Sequence, residues 1–82
     1  MRTILTKMTP IGRIVEVRLP NGKNARRRVE IVMDGELQGA GTLVGLWRSS
    51  LDGDTTHVIL AGCHAIGFTQ MEARTIRAAL NA

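Results

Sequence analysis

Aromatic residues are nearly missing from this chain, which has no tyrosine, one phenylalanine (Phe68) and one tryptophan (Trp47) among its 82 residues. Modules that hold single-stranded RNA or DNA stack the bases on aromatic rings, so a platform of the RRM type is disfavoured. Cysteine is as scarce. Cys63 stands alone and has no partner in the sequence for a disulfide. A secreted domain of this size usually needs such staples, so a reducing cytoplasm is the expected compartment. No apolar run approaches the roughly 20 residues of a membrane span. The first seven residues carry Arg2 and Lys7 around too short an apolar stretch for a secretory leader. With two prolines and 44% hydrophobic residues, the composition is that of a folding chain rather than a disordered one. Its length suits one domain spanning 1–82.

Charge is present and unevenly placed. The total is +4, but residues 1–28 hold eight bases against one acid, a charge of +7, and residues 29–82 hold three bases against six acids, a charge of −3.

The hydropathy pattern gives strands first and a helix last. Residues 2–8 alternate weakly, as an edge strand does. Thr9-Pro10-Ile11-Gly12 is a turn, because Pro fixes φ and Gly tolerates positive φ. Arg13–Leu19 puts Val15, Val17 and Leu19 on one face, and Asn21-Gly22 is a strong hairpin signal. The returning strand, from about Ala25 to Met33, turns Val29, Ile31 and Met33 inward. Asp34-Gly35 makes a second tight turn into a segment in which Leu37, Gly39, Gly41, Leu43, Gly45 and Trp47 share one parity. Glycines on one face imply a bulge, a bend or a second backbone passing close by, hence one kinked strand. A polar loop over Ser49–Asp54 leads to Thr55–Ala61, whose β-branched content reads as a buried strand at the centre of the sheet. Gly62 and Gly67 bracket a short connection or strand end. Thr69-Gln70-Met71-Glu72 fits the capping box and predicts a helix over about 70–81, with Ala73, Ile76 and Leu80 on the packed face. The expected fold is α+β: a four- to five-stranded antiparallel hairpin meander with one C-terminal helix packed on a face.

Motifs for chemistry do not assemble. Gly39-Ala40-Gly41-Thr42-Leu43-Val44-Gly45 misses the third glycine of G-x-G-x-x-G and opens no helix, so a bent strand is the better account. Cys63, His64 and His57 are fewer than the about four ligands a structural zinc needs. On a straight strand His57 and Cys63 would lie roughly 20 Å apart. Asp52-Gly53-Asp54 lacks the further ligands of a calcium loop. Neither serine at 49 or 50 sits in a nucleophile elbow. No enzyme activity, cofactor, metal or small-molecule substrate is indicated.

The basic hairpin is what remains. Arg13, Arg18, Lys23, Arg26, Arg27 and Arg28 flank and climb it, and cross-strand pairing would bring Arg18 near Arg26 or Arg28. Guanidinium forks take phosphates or carboxylates bidentately, although such a cluster also serves as a solvated edge that blocks aggregation. The expected function is a non-enzymatic binding or regulatory module whose Arg-rich hairpin docks on an acidic protein surface or on nucleic-acid phosphates. It would thereby modulate or inhibit a larger nucleic-acid-handling assembly, a kind of module that phages and mobile elements often encode. Trp47, if exposed, is a natural anchor for such a contact. Two alternatives stand beside it: a homo-oligomeric subunit, starting from a homodimer, whose basic patch serves solubility, and a protein that binds duplex DNA or structured RNA. No membrane partner is expected.

Overall fold

The computed structural model describes residues 2–20, 28–46 and 54–81. Seven strands and one helix follow in chain order: β1 (Arg2–Met8), β2 (Ile14–Leu19), β3 (Val29–Met33), β4 (Glu36–Gly41), β5 (Leu43–Gly45), β6 (Thr55–Ala61), β7 (His64–Thr69) and α1 (Gln70–Leu80). β1 to β4 form a four-stranded antiparallel sheet in sequence order, and β5 to β7 form a second antiparallel sheet with β6 in the middle. The four-stranded meander and the C-terminal helix agree with the sequence pattern. The second sheet is additional to it, built from segments that the pattern reads as a kinked strand, a central strand and a connection.

The turns follow from local chemistry. Asp34 and Gly35 both take positive φ, 50° and 85°, which a two-residue hairpin needs, so Met33 pairs directly with Glu36. Thr9 closes the β1–β2 turn: its amide donates to the Arg13 carbonyl (2.8 Å), its carbonyl accepts from Gly12 (2.9 Å), and its hydroxyl accepts from the Arg13 amide (3.0 Å).

The glycine-rich stretch divides in two. β4 carries a bulge, since Ile31 faces Gly39 while Val32 faces Leu37, and Gln38 is the extra residue. The chain then leaves the first sheet after Gly41 and joins the second at Leu43. At this corner β4 crosses the β6–β7 hairpin: a Cβ on Gly41 would run into the Leu60 carbonyl oxygen, and one on Gly62 into that of Gln38. Gly62 also takes φ +61°, so the chain reverses at Gly62-Cys63 and residues 64–69 become a full strand instead of a connection.

Both sheets and the helix share one core. Val15, Val17, Val29, Ile31 and Met33 come from the first sheet, Ile59, Ala61, Ile66 and Phe68 from the second, and Ile76 from the helix. β6 is central to its own sheet but covered on one side only. His57, Ile59 and Ala61 are buried, whereas Leu60 is 64% exposed. Thr69 caps α1 as the sequence predicts, accepting from the Glu72 amide (3.2 Å) while the Glu72 carboxylate accepts from the Thr69 amide (2.9 Å). The last turn ends at Leu80 with Asn81 as its cap. No helix among the described residues is long and apolar enough to cross a membrane.

Candidate binding surface

Among the described residues β2 and β3 pair in four rungs, from Val15 opposite Met33 to Arg18 opposite Glu30. Among the described residues the end pairs at this side of the sheet are Arg2 with Leu19 and Val29 with Gly41. Residues 20–28, which connect β2 to β3 in the sequence, hold four bases (Lys23, Arg26, Arg27, Arg28) and no acid. The Asn21-Gly22 turn, Lys23, Arg26 and Arg27 lie outside the described residues, as do Trp47 and most of the Ser49–Asp54 loop.

Charges at the base of the hairpin alternate in sign. The direct neighbour of Arg18 is Glu30, and its Nη2 lies 2.9 Å from Glu16 Oε2 on its own strand. Of the two arginines expected beside Arg18, Arg26 lies outside the described residues and Arg28 takes the diagonal position, with Glu30 directly opposite. The Arg28 Nη2 donates to the Ala40 carbonyl on β4 (3.0 Å). The arginine is tied to the sheet edge from which the basic segment departs.

Arg13 does not join this group. It precedes β2 at the far end of the hairpin, about 16 Å from Arg18 along the strand. Its Nη1 meets the Met33 sulfur at 3.6 Å. Sequence reasoning grouped the two as flanking one hairpin, although a separation of five residues along an extended strand already sets them far apart.

His57 lies on β6, Cys63 in the turn that follows it and His64 at the start of β7, so most of the length of β6 separates His57 from the other two. His57 is buried opposite Phe68, His64 is half-buried opposite Ala61, and Cys63 is exposed in the turn between β6 and β7. No group of three or more His, Cys, Asp or Glu side chains among the described residues could hold a metal ion. Burial, and then the positive Arg77 nearby, hold the His57 pKa below the ordinary 6.5. Its Nδ1 lies 2.7 Å from the Thr56 hydroxyl.

Two surfaces have no counterpart in the sequence reading. One is the outer face of β5–β7, where Val44, Leu46 and Leu60 are exposed. The other is a cleft beside the β1–β2 turn. A continuous apolar run looks the same whether one or both faces are covered, so no signal in the sequence marks the first. The second joins residues more than 50 positions apart. No known family model, curated protein or solved structure matches the chain.

Proposed function

We propose that this chain is a non-enzymatic binding module, working in the cytoplasm, whose β2–β3 hairpin docks on a polyanionic surface and thereby modulates or inhibits a larger nucleic-acid-handling assembly. The observation that carries this reading is the connection between β2 and β3, where nine consecutive residues, 20–28, hold four bases and no acid. Cations on such a segment release counterions when they meet phosphates or clustered carboxylates. Near the sheet Glu16 pairs with Arg18, whereas the sequence of residues 20–28 contains no acid.

Retention on heparin, duplex DNA and structured RNA against salt tests it, for the wild type and for Arg26, Arg27 and Arg28 changed together to Ala. The variant should elute earlier, with its log–log salt slope reduced by about 3. Identical elution on every support overturns the proposal. Capture from a lysate with and without nuclease then separates an acidic protein partner from nucleic acid, the latter being the duplex DNA or structured RNA alternative.

A second reading, a homo-oligomeric subunit, is favoured by one observation: Val44, Leu46 and Leu60 leave an apolar stripe open on the outer face of the second sheet. Light scattering over a range of concentrations tests it, and a constant monomer mass overturns it.

A further inference from the structure

Arg13, set apart from the basic hairpin, lines a cleft of about 350 Å³ together with Thr9, Ile11, Met33, His64 and Ile66. Its floor and its rim differ in chemistry. Met33 and Ile66 are buried members of the core, while Ile11 stands 80% exposed at the lip. Arg13 is exposed, and the one acceptor its side chain meets among the described residues is the Met33 thioether, at 3.6 Å. A thioether is a weak acceptor for a guanidinium, which ordinarily grips carboxylate or phosphate. None of the described residues lining the cleft is acidic. The neighbouring Asp34 carboxylate accepts from the Ile14 amide through Oδ1 (3.0 Å) and forms no ion pair with Arg13.

The turn that carries Arg13 is fixed by the three Thr9 hydrogen bonds, so the cleft wall is set in place by the fold. Because the Thr9 hydroxyl accepts from the Arg13 amide, its own proton is left to donate elsewhere. The His64 ring offers a further N–H in either tautomer.

We propose that this cleft binds a single carboxylate carried on a short branched aliphatic group. Arg13 grips the carboxylate, Thr9 and His64 supply further donors, and the aliphatic group covers Met33, Ile66 and Ile11. A carboxylate is favoured over a phosphate because its two oxygens match one guanidinium fork, whereas the second charge of a phosphate would meet no second arginine here. The volume lies at the low end for ligand clefts, enough for a leucine-sized group. Two sources share this chemistry, a free branched-chain acid and the C-terminal leucine of a peptide. The site is independent of the hairpin and stands or falls separately from it.

The test follows the His64 and Ile66 backbone amides by NMR during titration with 4-methylpentanoate, with acetyl-Gly-Gly-Leu, and with the C-terminal amide of that peptide. Saturable shifts at these two amides are expected with one or both acids at about 1 mM or weaker, and the tighter of the two identifies the source. The amide should bind at least about tenfold more weakly, and Arg13→Gln, its fold checked in the same spectra, should weaken the acid by about tenfold. Equal binding of acid and amide, an Arg13→Gln variant that binds as the wild type does, or no shift at about 20 mM ligand overturns the proposal.

Discussion

Lys7 Nζ donates to Glu72 Oε1 at 3.0 Å and to the Gly67 carbonyl at 2.7 Å, so one ammonium ties β1, β7 and the first turn of α1 together. It also lies 5.0 Å from the centre of the Phe68 ring. The same Glu72 oxygen accepts from the Thr69 amide, which makes the helix cap and the ion pair a single unit. Burial pushes the Glu72 pKa up, but the Thr69 amide, Lys7 and the Thr69 hydroxyl outweigh it and hold the carboxyl below its ordinary value.

The sign of the resulting pH dependence follows. A carboxylate whose folded pKa is depressed adds stability that is fully present above the unfolded pKa of about 4.3 and is lost as pH falls through the folded value. Glu72→Gln should therefore cost about 1 kcal/mol at pH 7, and the difference from the wild type should shrink between about pH 5 and pH 3. Denaturant midpoints at four or five pH values check this; a pH-independent difference would assign the loss to packing instead.

Gly41 and Gly45 separate two reasons for glycine in one stretch. A Cβ at Gly41 meets backbone, the Leu60 carbonyl, which cannot step aside without moving β6. A Cβ at Gly45 would sit 3.7 Å from the His57 ring, an ordinary contact. Gly41→Ala should destabilise by about 2 kcal/mol or more, and Gly45→Ala by less than about 0.5 kcal/mol, measured by urea unfolding. Equal costs would mean that the strand crossing is not what demands glycine.

These glycines also mark how far the sequence reaches. The parity of Gly39, Gly41 and Gly45 shows that a backbone or a bend is close, and both a bulge at Gln38 and a crossing at Leu60 are found. What it cannot give is the partner. The Asp34-Gly35 turn gives the pairing of β4 with β3, but that of β5 with β6 depends on hydrogen bonds between segments joined by a longer loop, so one kinked strand and two strands in different sheets share the same local pattern. Thr69-Gln70-Met71-Glu72 was fully legible because a capping box is local. Of the candidate site, the chemical types were legible and the grouping only in part: Arg18 and Arg28 share the base of the hairpin, whereas Arg13 belongs to another surface. The ends of a strand are set by the register, not by composition.

His57 is a second titrating group, of the opposite kind. Its pKa is lowered, by burial first and by Arg77 second, so the folded chain holds the neutral ring while the unfolded chain takes a proton near pH 6.5. Stability is thus complete above about pH 6.5 and falls as the pH drops toward the folded value. Replacing His57 with Gln should flatten stability between about pH 7.5 and pH 5.5, seen as equal denaturant midpoints at the two values. A wild-type midpoint that does not fall over that range would show that the ring charges freely in place.

The alternating charges at the hairpin base make a prediction about binding rather than folding. Arg18 is already balanced by Glu16 at 2.9 Å and faces Glu30, so much of its field is cancelled before any ligand arrives. The sequence around Lys23, Arg26 and Arg27 contains no acid from residue 20 to residue 28. Arg18→Gln should therefore lower the salt needed to elute the protein from heparin by less than Arg26→Gln or Arg27→Gln does, though each removes one charge. Glu16→Gln should raise it, because Arg18 then faces outward with one carboxylate fewer. A merely global effect of net charge would move Arg18→Gln and Arg26→Gln equally, whereas contact through residues 20–28 separates them.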